Sequence, residues 1–377
     1  MKILLEGWDL PRNQDLGGVQ SYWRQLVPAL LAEAGPREDF VLLSAFLNPR
    51  RVGALQAYRN AGATLRHWWA SPGWIRALGR RGFRAEWFAG AHDLAHAPEA
   101  TWTLRTSGRL VVTCHDLMFV HHPQYLAPST VARLVEGMER GVREAAFWIC
   151  NSAFTRDDLV ATYGVAPGRT AVVHHGVDEA FRAAGDARAE RGGDDTGRFL
   201  FLGSVEPKKN LEVLLRALAL AAERGLRGGL DIAGRASWQS EAIRRLPERH
   251  PVLADRVNFL GFVPDAALPA LVASARALVL PSRFEGFGMP VIEAMAAGTP
   301  VLCSDRGALP EVAGGAAALF DADDAEGLAE LLVQLEQDAE RRAAMRRSGR
   351  ERATGFSWPR CARETLAAYR RAMELPA

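Results

Sequence analysis

A chain of 377 residues exceeds what one ordinary core fills and points to two domains of similar size. Its 48% hydrophobic and 24% charged residues exclude a disordered chain, and a net charge of +2 excludes a general nucleic-acid binder, which needs a concentrated basic field. Cys114, Cys150, Cys303 and Cys361 are widely spaced, form no CxxC pair and have no set of metal-ligating histidines beside them, so they are expected to be reduced core thiols.

The start, MKILLEGWDL, has one lysine and a short apolar run broken by Glu6, unlike a signal peptide. No later stretch reaches about 18 uninterrupted apolar residues. The expected location is the cytoplasm, with peripheral contact at the inner face of a membrane as an option. Along the chain, short runs rich in Val, Ile, Leu and Phe alternate with segments of helical period, the pattern of parallel strands covered on both faces. The predicted strands are 2–7, 40–45, 110–114, 148–151 and 171–175 in the first half. In the second half they are 199–203, 230–233, 257–260, 277–281 and 300–304. The fold class is therefore α/β, with two Rossmann-like, doubly wound parallel-sheet domains facing a central crevice.

The boundary is placed near Asp178, giving domains 1–178 and 179–357. The segment AAGDARAERGGDDTGR, 183–198, is charged and without apolar period, and reads as an exposed connection between lobes. The tail from Leu328 to Met373 reads as helical apart from a break at 354–359, and its last part, 358–377, could pack back on the first domain.

In open parallel sheets ligands bind outside the carboxyl ends of the strands. After the first strand, Gly17 and Gly18 precede a helix expected from Val19, an amide-rich start that suits an anion but also fits a plain turn. The stretch HWWASPGWIRALGRRGFRAEWF, 67–88, interleaves aromatics with arginines. It reads either as one solvated helix with a buried apolar face or as a contact for anionic lipid or a lipid-linked acceptor. His115 and Asp116 follow a strand, and His115 could bond a sugar hydroxyl or shuttle a proton near neutral pH; a structural histidine is the plain alternative. His121 and His122 lie farther along, with no carboxylate spacing that suggests a metal.

In FLFLGSVEPKKNLEVLLRAL a strand ends at Gly203 and Asn210 is expected to cap the next helix. Lys208 and Lys209 then stand at the positive end of a helix, a conflict that a phosphate would remove, unless both are merely solvated. In PSRFEGFGMPVIEAMAAGTPV the loop carries Glu285, Gly286, Phe287 and Gly288, and Pro290 suits a first helical turn. Glycines let a backbone approach a ligand, and helix-start amides favour a pyrophosphate. Glu285 in the loop and Glu293, expected in the first turn, could hold vicinal hydroxyls, since carboxylates accept two hydrogen bonds well. The plain reading leaves Glu285 solvated and Glu293 complementing the helix dipole.

Taken in order, HDL at 115–117, NSAFTRDDL at 151–159, HHGVDEAF at 174–181, GSVEPKKN at 203–210 and EGFGMPVIE at 285–293 resemble the retaining GT-B glycosyltransferases of family 4 over nearly the whole chain. The resemblance implies an acceptor-binding first domain and a donor-binding second one. It implies that Glu293 holds the donor ribose, Glu285 and the backbone of Gly286 to Gly288 the transferred sugar, and Lys209 the pyrophosphate. His115 would lie beside the sugar, and Gly17 and Gly18 near the phosphates or acceptor. Many members carry an arginine after the glycine at 203, where this chain has Ser204; Arg235 or Lys208 would supply that charge. A basic clamp makes such enzymes independent of metal. The wording EPKKN and HDL looks most like bacterial mannosyltransferases of surface polysaccharide synthesis, implying GDP-mannose as donor and a saccharide or lipid-linked acceptor.

Three other readings stand beside this one. Gly286, Gly288 and Asp305 imitate a dinucleotide fingerprint, although Val291 replaces its third glycine and 282–285 lengthen the turn. A sugar-nucleotide epimerase of the same fold and a nucleotide-sugar binding protein without turnover are the others.

Overall fold

The computed structural model describes residues 1–8, 10, 17–190, 192, 195–237 and 239–376, without the side chain at 249. Within these, the strands are β1 (Lys2–Glu6), β2 (Asp39–Ala45), β3 (Thr64–Trp68), β4 (Leu94–Ala97), β5 (Arg109–Cys114), β6 (Phe147–Cys150) and β7 (Thr170–Val172) in one sheet. A second sheet holds β8 (Phe199–Leu202), β9 (Leu230–Ala233), β10 (Val257–Gly261), β11 (Ala277–Leu280), β12 (Val301–Ser304) and β13 (Ala318–Phe320). The chain divides into two compact units: 1–120 with 128–176 and 358–377, and 121–127 with 177–357.

The first sheet runs β3-β2-β1-β4-β5-β6-β7 with every pairing parallel. The second runs β10-β9-β8-β11-β12-β13, also parallel throughout. Both orders reverse beside the first strand of the unit, between β1 and β4 and between β8 and β11. Loops leaving the carboxyl ends of those neighbours diverge and open the place where doubly wound sheets take ligands. Central strands such as FVLLSA and ALVL are buried on both faces, as covered parallel sheets require. The four cysteines are free and buried, as expected of core thiols.

The segment 183–198 departs from its expected role as an exposed connection. Glu179–Glu190 is a helix, and its buried residues, Phe181, Gly185 and Arg188, are spaced by four and three along one face. An arginine and a glycine in the core stripe hid the helical period. Arg188 is 6% exposed and donates to the Ala273 carbonyl at 2.7 Å.

The last helix, Trp358–Glu374, belongs to the first unit. It buries Trp358, Cys361, Thr365, Tyr369 and Ala372, a stripe of helical period. Tyr369 reaches His96 Nδ1 through its hydroxyl at 2.6 Å, and His96 Nε2 meets Thr113 Oγ1 at 2.8 Å. Burial pushes His96 down to about 3, so this link is a neutral one.

Candidate active site

In the second unit, the loops after β8, β9 and β11 converge. Gly203 and Gly234 have φ of 151° and 154°, and a Cβ on Gly234 would fall 1.7 Å from the Gly203 carbonyl oxygen. Glycine at 234 is what allows these two loops to cross. Beyond Gly203, Ser204 Oγ donates to Glu206 Oε1 at 2.7 Å, and Lys208 Nζ lies 3.7 Å from the same oxygen. Where an arginine was sought, the chain therefore places a hydroxyl that orients a carboxylate.

Asn210 does not cap the following helix as expected. Its backbone is left-handed, with φ of 56°, and makes no side-chain cap. The buried side chain instead donates to the carbonyls of Pro281 at 3.0 Å and Ala322 at 2.6 Å, tying the turn Pro207–Lys209 to the ends of β11 and β13. A polar group so buried must find partners, and these fix the height of the two lysines.

The conflict expected of Lys209 at a helix start is met by protein. Lys209 Nζ lies 2.5 Å from Glu285 Oε1, both side chains 11% exposed, and Ser282 Oγ donates to the same carboxylate oxygen at 2.6 Å. Burial raises the Glu285 pKa, but the charges of Lys209 and Lys208 and the hydrogen bonds from Lys209 and Ser282 outweigh it, so the carboxyl stays below its usual range. Glu285 is thus a fixed anion rather than a solvated one. The loop is braced around it: Ala308 N–H donates to the Glu285 carbonyl at 2.9 Å, and a Cβ on Gly307 would fall 2.4 Å from that oxygen.

Glu293 is the fifth residue of the helix Met289–Ala296, one turn deeper than the first turn expected of it. Burial, then the charges of Asp265 and Asp178, push its carboxyl up to about 7. No hydrogen bond or ion pair from the described residues reaches it. This opposes the reading of Glu293 as a simple dipole complement. Phe287 turns inward at 3% exposed and meets Phe356 edge-on at 6.0 Å, so only the backbone of Gly286 to Gly288 can serve a ligand there. Arg235 spreads its guanidinium over the Phe262 ring, 4.0 Å from the centroid.

In the first unit, His115 stands at the end of β5. Its Nε2–H donates to the Pro98 carbonyl at 2.8 Å, which leaves Nδ1 as the acceptor of a neutral ring. Burial lowers its pKa against the opposing pull of that bond, Glu99 and Asp116. A proton shuttle near neutral pH is therefore disfavoured, while bonding to a hydroxyl is not. Tyr22 packs edge-on against His115 and stacks on His175, at 5.0 and 4.5 Å; isolated aromatics gave no sequence signal for this cluster. Gly17 and Gly18 are exposed at the start of Gly18–Glu33, but the Gly17 amide already donates to Gln20 Oε1 at 2.9 Å. The loop before them, 11–16, lies outside the described residues.

The stretch 67–88 is not one helix. It comprises the end of β3, the Ser71-capped helix Pro72–Arg80 and the short helix Glu86–Ala89, with Trp68, Trp69, Trp74 and Trp87 exposed by 40 to 62%. His121 and His122 flank Phe284 at 6.2 and 5.6 Å, and no group of metal-ligating side chains occurs among the described residues. Sequence reasoning missed Glu206, Asp178 and Asp265 as neighbours of the candidate residues; Glu206 and Asp178 lay inside segments already singled out, GSVEPKKN and HHGVDEAF, and Asp265 did not.

Two parallel doubly wound sheets make up the GT-B architecture, and a buried Lys–Glu pair lies at the switch point of the second. The model for Glycosyltransferase Family 4 matches residues 16–181, and that for Glycosyl transferases group 1 matches 186–352. The chain belongs to this family of retaining enzymes, which transfer a sugar from a nucleotide-sugar donor. It is 31% identical over 269 residues to O-antigen chain mannosyltransferase B of Escherichia coli, covering 70% of each chain. It is 32% identical over 282 residues to the D-inositol 3-phosphate glycosyltransferase of Kribbella flavida, covering 70% of this chain and 66% of that one. Sucrose-phosphate synthase from Thermosynechococcus elongatus shares the fold at a TM-score of 0.74 and 22% identity, over 98% of both chains.

Proposed function

We propose that the protein transfers mannose from GDP-mannose to a saccharide or lipid-linked acceptor in the building of a surface polysaccharide. The observation that carries the choice of sugar is the similarity to an O-antigen chain mannosyltransferase, 31% identical. In this reading Lys209, with Lys208 and Arg235, bears the charge that develops on the departing diphosphate. Glu285 and the backbone of Gly286, Phe287 and Gly288 hold the hexose, and Glu293 accepts the ribose hydroxyls. Gly203 gives the diphosphate room, Ser204 keeps Glu206 turned toward Lys208, and neutral His115 accepts a sugar hydroxyl at Nδ1. Gly17 and Gly18 lie toward the phosphates or the acceptor. No metal takes part, so a chelator leaves the rate unchanged. The exposed indoles of 67–88 bring the enzyme to a membrane that carries its acceptor.

The test is thermal stabilisation by GDP-, UDP-, ADP- and dTDP-sugars, with Glu293→Ala as control, because a ligand bound only by the native state raises its stability. GDP-mannose is expected to stabilise most, and the variant to lose the effect; stabilisation by another nucleotide alone would overturn the donor assignment. Transfer is then measured over acceptors that include D-inositol 3-phosphate, after the name of the Kribbella relative.

A further inference from the structure

Hydrogen bonds fix where His115 stands in the first unit, but not the plane of its ring. Its backbone carbonyl accepts from Asn151 Nδ2 at 3.0 Å and from the Thr155 hydroxyl at 3.3 Å, and its Nε2–H donates to the Pro98 carbonyl at 2.8 Å. The second torsion of a histidine side chain turns about an sp³–sp² bond and is broad, so an imidazole tied at one nitrogen can still tilt. The lone pair that Nδ1 offers tilts with it.

Tyr22 supplies the missing constraint. It is the fifth residue of the helix Gly18–Glu33, 2% exposed, and its ring lies 5.0 Å from that of His115 at an interplanar angle of 78°. His175 meets the same imidazole at 5.7 Å and 61°. Tyr22 is itself held on several sides. It stacks on His175 at 4.5 Å and lies 6.2 Å from Trp358, while its hydroxyl stands 3.3 Å from Thr113 Oγ1, the atom that also meets His96 Nε2. Burial keeps the Tyr22 phenol protonated and lowers the pKa of His115 and His175, so the cluster packs as neutral rings.

We propose that Tyr22 is a positioning residue for sugar transfer: its ring sets the plane of the His115 imidazole, and its hydroxyl only anchors that ring. This rests on the reading in which His115 Nδ1 accepts a sugar hydroxyl. A reacting group must be held to within roughly 10–20° of its productive angle, and a misplacement of about 1 Å costs on the order of 100-fold. The test joins the kinetics of GDP release from GDP-mannose, with the acceptors above, to nitrogen NMR of the full chain carrying isotope-labelled histidine. The His115 signals are assigned with His115→Ala. Tyr22→Leu is expected to lower kcat at least tenfold with the donor KM changed by less than about threefold, and to mix the two His115 tautomers where the parent holds one. Tyr22→Phe, which keeps the ring, should restore both. In the His115→Ala background Tyr22→Leu should cost nothing further, because both act through one group. Should Tyr22→Leu not fold, Tyr22→Met, an unbranched and adaptable filler, takes its place. A single tautomer in the variant without the ring, or losses that add in the double variant, overturns the proposal. Parent-like turnover in His115→Ala refutes the reading of His115 and the positioning with it. Absence of GDP release in the parent refutes only the donor, and the tautomers then decide the positioning.

Discussion

At the scale of single residues, Lys209 and Glu285 are one unit, and removing either leaves a charge stranded. Breaking a mostly buried pair costs about 3–5 kcal/mol because the partner loses its compensation, whereas replacing both members is far milder. Lys209→Ala is therefore expected to lower stability as well as cut transfer by two or more orders of magnitude. Lys209→Met with Glu285→Gln should recover much of the stability, measured by urea unfolding, and none of the turnover. A double variant that recovers transfer would remove Lys209 from the chemistry. Glu293 makes a pH-dependent prediction. Its carboxyl lies near 7 in the folded protein against an ordinary 4.5, so the native state holds the proton more tightly than the unfolded chain does. This contribution of Glu293 to stability is fully present below about pH 4.5 and is lost as pH rises through about 7. In melting curves from pH 5 to 8, Glu293→Gln should flatten that decline; identical slopes would show that another group is responsible.

At the scale of elements, the C-terminal helix illustrates what holds the first unit together. Tyr369, His96 and Thr113 form a buried chain of hydrogen bonds that joins this helix to β4 and β5. Tyr369→Phe keeps the ring and strands His96 Nδ1, which costs about 1–3 kcal/mol for an unsatisfied buried group. Denaturant midpoints measure it, and a change under about 0.5 kcal/mol would mean that water replaces the hydroxyl. The same elements show what the sequence could and could not reveal. Strands made of Val, Ile, Leu and Phe were legible almost to the residue, as at β9 and β12. Three were not: β3, an edge strand with Arg66 and His67 in it; β4, whose four residues LAHA include a buried histidine; and β13, only three residues long. Residues fixed by local glycine and proline chemistry, such as the Glu285 loop, were visible. Partners supplied from distant segments, such as Asp265 and Asp178 beside Glu293 or the carbonyls that bind Asn210, carry no local signal.

At the scale of the whole molecule, a net charge of +2 conceals unevenly placed groups. On the β3 edge of the first sheet, Trp68 is anchored by its indole N–H to the Phe88 carbonyl at 2.9 Å, beside the helix that carries exposed Trp87. Trp69 and Trp74 are exposed as well, and Arg80 and Arg84 lie among them, their side chains about half exposed. Exposed indoles in such number cost solubility, yet they suit the headgroup layer of a membrane, where the ring is buried and its N–H stays wet. No described helix is long and apolar enough to cross a bilayer. Each arginine adds about 1 kcal/mol at an anionic surface, an attraction screened within about 10 Å at 0.1 M salt. Co-sedimentation with vesicles should therefore be strong with anionic lipid and weak with neutral lipid, and should fall as salt rises. Trp74→Ala with Trp87→Ala should lower the bound fraction at least tenfold at any salt, because indole burial is not electrostatic. Equal sedimentation of parent and variant would assign the binding to charge alone, and no sedimentation of either would leave the indoles facing an acceptor rather than a bilayer.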